Sequence, residues 1–576
     1  MYIEVVPNRR SRPAVLLREG WREGRKVRKR TLANLTDWPA DQVEALRRVL
    51  KNEPLMAPDD VFEVERSLPH GHVEAVVGTI GKLGLDKVLC ARRCRKRDLV
   101  VAMIAERLLA PRSKLGTIRM WHNTTLPEEL GVEDANEDDL YEAMDWLLAR
   151  QARIEKRLAA RHLRDGVQVL YDVSTSYYEG SRCSLARFGH DRDGKKGKPI
   201  IVYGVLTDVE GRPIAVEAYP GNTGDPTTVP DQAHKLRDRF GLQRLVLVGD
   251  RGMLTQTQIN TLKTHPGLSW ISALRSPAIR KLVDEGSLQP SLFDERNLAE
   301  IASSAFPGER LMVCYNPLLA QERARKRQEL LEATDSELQR ISREIARRTR
   351  TPLSDGDIGR KVGRVLNRFK VAKHFKVTIA NGRLSFRRRE DSIVRETELD
   401  GIYVIRTNEP ADRLCAEDAV RSYKNLAHVE RAFRCLKGID LRIRPIHHHL
   451  DRRVRAHIFL CTLAYYVEWH MRRALAPLLF HDEELADIRR TRDPVLPAQP
   501  SASALQKKKT RTTADGMPLH SFDTLLADLA TRVRDRCRLS TDPNGAPFSK
   551  LTRLTPLQHK AMTLLGLFPV TQQKSP

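Results

Sequence analysis

The stretch VQVLYDVST (residues 167–175) decides how this chain folds. Val167, Val169, Leu170 and Tyr171 make an apolar run before the acid, as in a strand at the centre of a sheet. Asp172 then leaves the strand at the rim. RLVLVGDRG (residues 244–252) repeats the pattern, ending on Asp250 with Gly249 and Gly252 to permit a tight exit. Between and after them, PIIVYGVLTD (199–208) and PIAVEAYPG (213–221) read as two arms of a meander, and LSWISALR (268–275) continues the β/α alternation. Two strands that each deliver an aspartate to one rim make a place for a hard divalent ion, which takes oxygen ligands and keeps several waters.

A third acid lies further on, in SYKNLAHVERAFRCLK (422–437). Leu426, Val429, Phe433 and Leu436 recur at helical spacing and form one apolar face. Packed against the sheet, that helix would bring Glu430 over the two aspartates. Three carboxylates around two ions roughly 3.5–4 Å apart can clamp the attacking and leaving oxygens of a phosphodiester. Each acid alone has a plainer reading: an aspartate after a strand is usually a turn or cap residue, and a glutamate on a charged helix is usually solvated.

Composition narrows the partner. The 576 residues carry 99 Lys and Arg against 74 Asp and Glu, a formal charge of +25. A surplus that large suits a polyanion, because each cation set on a phosphate releases counterions. No stretch approaches the roughly 18 uninterrupted apolar residues of a spanning helix, so no membrane partner is expected. The N-terminus MYIEVVPNRRSRP lacks a secretory core, and the eight cysteines show no CxxC spacing. The cytoplasm is the simplest compartment.

In this order, LYDVSTSYYEG, PGNTGDPTTV, LVLVGDRGM and SYKNLAHVERAFRCLK resemble bacterial insertion-sequence transposases of the acidic-triad (DDE) class, in the IS4-like group and of IS1634 type. The resemblance runs from residue 1 to about 475 and includes REGWREGRKVRKRTLANL near the start. Its most specific signature is a Tyr, an Arg, a Glu and a Lys at fixed spacing, which here falls on Tyr423, Leu426, Glu430 and Lys437. Leucine stands at the arginine position, so that contact with DNA would pass to Arg431 or Arg434.

The resemblance implies an α/β fold: an RNase H-like catalytic core, a mixed sheet flanked by helices, interrupted by a helical and β-rich insertion and preceded by an α-helical region. The expected map is a basic β-hairpin over 1–35, a helical DNA-binding region over 36–165, core over 166–275 and 399–490, and insertion over 276–398. A Pro/Ser/Lys-rich linker over 491–516 and a helical tail over 517–576 follow. In the insertion, Leu331, Thr334, Leu338, Ile341 and Ile345 form a short heptad seam, which suits a helical hairpin inside one subunit. FKVTIANGRLSF (375–386) should turn on Asn381–Gly382.

Further implications concern chemistry and partners. Asp172, Asp250 and Glu430 would be the catalytic and metal-binding residues, with Mg²⁺ as cofactor and Mn²⁺ as its substitute. Strand cleavage by water and attack of the freed 3′-hydroxyl on target DNA would follow. The DNA partners would be the inverted-repeat ends of its own element and the target, held by a homodimer in the bacterial nucleoid. Tyr423, Arg431, Arg434 and Lys437, with Arg22, Arg25, Lys26 and Arg28, are the expected DNA contacts. Two rivals are a transposase-derived DNA-binding protein that no longer cuts, and a nuclease with the same core. GHDRDGKK (189–196) nearly spells a phosphate loop but has Lys196 where Ser or Thr is needed. RIRPIHHHLDRRVR (442–455) reads as a basic edge, since three adjacent histidines cannot face one ion from a regular element.

One expectation follows directly from the charge. With six to ten phosphates neutralised, DNA affinity should fall by roughly 10³–10⁵ between 50 and 200 mM salt. A filter-binding titration that stays flat over that range contradicts a phosphate-bound basic surface.

Overall fold

The computed structural model describes residues 1–9, 11–53, 61–540 and 544–568. Residues 54–60 of the predicted helical region and 569–576 of the predicted tail lie outside the described residues. The chain divides into two units, residues 1–71 with 530–554, and residues 72–529 with the remainder.

In the first unit, β1 (Tyr2–Val6), β2 (Ala14–Glu23) and β3 (Lys26–Asn34) form an antiparallel sheet in that order. The predicted basic hairpin forms as β1 against β2, and it carries a third strand because the chain folds back again at Gly24 and β3 pairs along β2. Gly24 turns β2 into β3 at φ +60, a conformation that glycine adopts without a Cβ penalty. Arg22, Arg25, Lys26 and Arg28 crowd this tip and are all exposed, with Arg28 Nε 2.5 Å from Glu23. Helix α1 (Ala40–Leu50) and strand β4 (Phe62–Pro69) follow.

The second unit opens with helices. Among them are α2 (Arg95–Leu109), α3 (Glu137–Leu148) and α4 (Gln151–His162). Its sheet comprises β5 (Gln168–Tyr177), β6 (Ile200–Thr207), β7 (Pro213–Pro220), β8 (Leu245–Val248), β9 (Leu268–Ala273), β10 (Leu298–Ile301) and β11 (Arg310–Tyr315). Helices α5 (Pro317–Arg347) and α6 (Asp355–Phe369) and the hairpin β12 (Phe375–Ala380) to β13 (Arg383–Arg388) come next. The sheet's last strand, β14 (Ile402–Thr407), precedes α7 (Ala416–Lys424), α8 (Leu426–Lys437) and α9 (Asp451–Ala474).

Strand order is β10-β11-β14-β9-β8-β5-β6-β7. Strands β5, β6 and β7 run as an antiparallel meander, whereas β8 is parallel to β5 and β9 to β8. That five-strand arrangement is the RNase H-like core. Antiparallel β14, β11 and β10 widen it, so residues 298–315, expected in the insertion, belong to the sheet. What leaves the sheet is α5, α6 and the β12–β13 hairpin, which share a separate core. Leu331, Leu338 and Ile341 of the heptad seam pack there on Ile358 and Val362.

The C-terminal expectations also change. The predicted linker contains a helix, Ala502–Thr510, and Val495 is fully buried with its carbonyl accepting from Asn316 Nδ2 and Lys424 Nζ. Within the predicted helical tail, β15 (Val533–Leu539) pairs with both β4 and β16 (Phe548–Leu551). Residues far apart in sequence thus make one small sheet, which local periodicity cannot reveal.

Glycine is compelled at one core position. Gly204 of β6 stands opposite Val173, and the buried Tyr171 ring lies across it, its hydroxyl donating to Thr228 Oγ1 at 2.8 Å. A Cβ at 204 would sit 2.7 Å from two ring carbons. Gly204→Ala should therefore cost about 1–3 kcal/mol, as overpacking does. Urea unfolding checks this through a lowered midpoint at constant slope; an unchanged midpoint would mean the ring is free to move.

Candidate active site

Strand register brings two of the acids together. The parallel β5–β8 ladder ends with Leu170 beside Val248. Two residues further along each chain stand Asp172 and Asp250. Asp172 does not end its strand as the sequence suggested: β5 continues to Tyr177, because β6 goes on pairing with it after β8 has stopped. The acid is therefore held by a strand that β6 still pairs where β8 no longer does.

The electrostatics register the neighbour. Asp172 is half-buried; burial, then the charges of Asp250 and Asp225, push its carboxyl up to about 7, against the Val173 N–H and Arg192. Its Oδ1 accepts from Val173 N at 2.7 Å. Asp250 is exposed, and its Oδ1 accepts from the N–H groups of Gly252 and Met253, both at 2.8 Å. A Cβ on residue 252 would come within 3.2 Å of that oxygen, so glycine suits this turn. Among the described residues, the Oδ2 atom of each aspartate has no hydrogen bond.

Helix α8 covers the same face. Side chains 172, 174 and 176 of β5 share one side of the sheet. Tyr203 lies opposite Ser174 and its hydroxyl is 3.1 Å from Ser176 Oγ, which puts it on that side too. Phe433 of α8 meets Tyr203 edge-on, ring centres 5.8 Å apart. Leu426, Val429, Phe433 and Leu436 are buried beneath the helix as expected, while Glu430, Arg431 and Arg434 are exposed. Among the described residues none of those three side chains has a hydrogen bond or ion pair. Tyr423, at the end of α7, is half-buried; burial and then the charge of Asp250 push its hydroxyl up to about 12.

Lys437 sits differently from a free DNA contact. Its Nζ is 3.0 Å from Asp193, whose side chain is only 1% exposed, and Arg444 pairs with the same carboxylate. The neighbouring Arg192 donates to the Val173 carbonyl and to Asp225. The loop that nearly spelled a phosphate motif thus braces the strand carrying Asp172 and anchors the end of α8. Only burial distinguishes Asp193 from the other polar residues of GHDRDGKK, so the sequence carried no signal for it.

A family model of the transposase DDE domain matches residues 168–467, just over half the chain, beginning at the first residue of β5. A second, for the N-terminal domain of IS1634 family transposases, matches residues 3–57. A cryo-EM structure of a piggyBac transposase synaptic complex with hairpin DNA shares 11% identity, covering 77% of this chain and 90% of that one. The two superpose with a TM-score of 0.24. No curated protein matches the chain. Fold and site define the class: a DDE enzyme that cleaves DNA and transfers strands. The chain belongs to the DDE transposases, of the IS1634 type. DNA is its partner, and the class depends on a divalent metal. Among the described residues no helix is long and apolar enough to cross a membrane.

The residues present fit such a metal. Asp172 and Asp250 offer free oxygens, and their mutual repulsion is what a divalent cation would relieve. Among the described residues the three acids do not lie within 4.8 Å of one another; Cys435, Asp440 and Glu468 do. A guanidinium already fills that second cluster, with Arg472 2.5 Å from Glu468 and 3.1 Å from Asp440.

The raised carboxyl gives a test. Between the ordinary aspartate range and about 7 the folded protein keeps a proton that the unfolded chain has lost, so the penalty grows with pH and is complete above about 7. Without metal, Asp172→Asn should raise the melting temperature at pH 8 and leave it unchanged at pH 4. A variant less stable than wild type at pH 8 contradicts the assignment.

Proposed function

We propose that Asp172, Asp250 and Glu430 together hold Mg²⁺ and form the phosphoryl-transfer centre that cuts the inverted-repeat ends of this protein's own element and joins them to target DNA. The observation that carries this reading is the pair of register-adjacent aspartates, each with a free oxygen, under a helix whose exposed glutamate has no partner. When bound, the ion supplies charge neutralisation at the attacking and leaving oxygens of the phosphodiester.

The chain's own residues do the rest. Strand β5 fixes Asp172, and the Gly252 turn fixes Asp250, so both carboxylates are positioned before substrate arrives. Helix α8 carries Glu430 on the face of the sheet that bears Asp172. Arg431 and Arg434, unpaired beside it, hold phosphates of the flanking strand, and Tyr423 closes the side next to Asp250. Lys437 acts through Asp193 as a brace on α8 and meets DNA only if that pair opens. The exposed cations of the β2–β3 tip contribute phosphate contacts that set position without reading sequence. Joining two ends requires both in one complex, which a homodimer on nucleoid DNA provides.

Each of Asp172→Ala, Asp250→Ala and Glu430→Ala should abolish Mg²⁺-dependent cleavage and strand transfer while element-end binding persists. Substantial cutting by any one purified variant removes that residue from the centre. Leu426→Arg supplies a control on the helix. Because this side chain is 9% exposed against the core, the arginine should destabilise the fold and add no activity.

A further inference from the structure

The basic segment 442–455 plays no part in the acid site, yet it lines a cleft of about 520 Å³. Arg107, Arg112, Lys114, Arg442, Arg444 and Arg453 contribute to the walls, and no Asp or Glu does. Several of these cations are answered from outside the cleft: Arg112 by Glu106 at 2.8 Å, Arg444 by Asp193, Arg453 more loosely by Asp145 at 3.9 Å. Arg107 donates to the carbonyls of Leu441 and Arg112.

Lys114 differs from the exposed Arg442 in being buried. It is 5% exposed, lines the cleft, and among the described residues has no hydrogen bond or ion pair. Burial and then the charge of Arg107 pull its ammonium down to about 7. Among the cleft's histidines, burial holds His448 down to about 3 and His457 well below its usual range, and an imidazole in either state brings no negative charge. A buried cation without a partner, among further cations and no acids, is costly unless an anion enters. Glu106, itself pushed up to about 7 by burial, is a poor substitute for one.

The cleft's position says which anion. Ile446 runs beside the end of β5, its N–H donating to Tyr177 O at 3.2 Å and its carbonyl accepting from Glu179 N at 2.9 Å. Tyr177 lies five residues beyond Asp172 on the same strand, about 17 Å at roughly 3.4 Å per residue. Along a duplex axis the phosphates of one strand advance about 3.4 Å per nucleotide, so with that axis running along β5 the distance spans about five nucleotides. We propose that this cleft receives a backbone phosphate of the strand being cut, about five nucleotides from the scissile bond, with Lys114 as its central contact. The proposal rests on the reading of Asp172 and Asp250 as the cleavage centre.

The test uses the full chain, wild type and Lys114→Met, with Arg453→Gln as a second variant at the cleft wall. First, the DNA-free protein is titrated with inorganic phosphate at constant ionic strength and its melting temperature followed. Wild type should be stabilised; Lys114→Met should start more stable and not respond. Second, element-end duplexes each carrying one uncharged methylphosphonate linkage are compared. In wild type, one linkage near the fifth nucleotide should weaken binding about tenfold or more. In Lys114→Met, binding should already be weaker and that linkage should cost nothing further, with Arg453→Gln showing a partial version. Asp172→Ala should keep both responses, so a failure of cleavage and a failure of the cleft are read separately. Stabilisation by phosphate without a coupled linkage means a free-anion site only and overturns the proposal, as does wild-type behaviour of Lys114→Met in the DNA series.

Discussion

Two like charges placed side by side organise this protein. The parallel pairing of β5 and β8 stops at Leu170 and Val248, and two residues further along each strand's path stands a carboxylate. Among the described residues neither is neutralised by a cation at hydrogen-bond distance, and burial, with the charge of Asp250, raises the Asp172 carboxyl. A fold that only needed stability would replace this pair with apolar residues. Its retention on a rigid central strand is understandable where a divalent ion and a phosphodiester complete the site.

The surrounding structure serves to hold that unfavourable arrangement in place. Antiparallel β6 continues past that point and keeps β5 straight, and Gly204 lets Tyr171 lock the opposite face. On the acids' own face α8 is seated by Phe433 against Tyr203, and its far end is tied by Lys437 to the buried Asp193. Arg192 links the same loop to the carbonyl after Asp172. The brace and the acids are separate groups with separate tasks, which is why the lysine of the family signature is not on the open surface.

Much of this was legible in local pattern. Apolar runs ending on Asp172 and Asp250, the meander between them and the apolar stripe of α8 are all short-range signals, and each produced the element expected. The basic hairpin, by contrast, gained a third strand because the arginine-rich run from Val15 to Leu32 folds back at Gly24 and pairs with itself. LAEI at 298–301 is brief and half-exposed, so its place in the sheet depends on the strands beside it. Val495 and Leu496 are only two adjacent large apolar residues in a Pro-rich run, and Val495 is buried, its carbonyl accepting from Asn316 and Lys424, which lie far away in sequence. β15 reaches back to β4 across nearly the whole chain, with β16 on its other side. Asp172 was placed on the right strand but at the wrong point along it, because a strand edged by two partners need not end where one of them does.

The central claim is that Glu430, carried by α8, joins Asp172 and Asp250 around one metal centre. Anomalous diffraction from crystals of the full chain with element-end DNA and Mn²⁺ tests it most directly. Mn²⁺ should lie between Asp172 and Asp250, just beyond Leu170 and Val248, with oxygen ligands from all three acids at about the 2.0–2.2 Å of such carboxylate bonds. Mn²⁺ held by Asp172 and Asp250 with Asp225 as the third acid, and Glu430 turned to solvent, would contradict it.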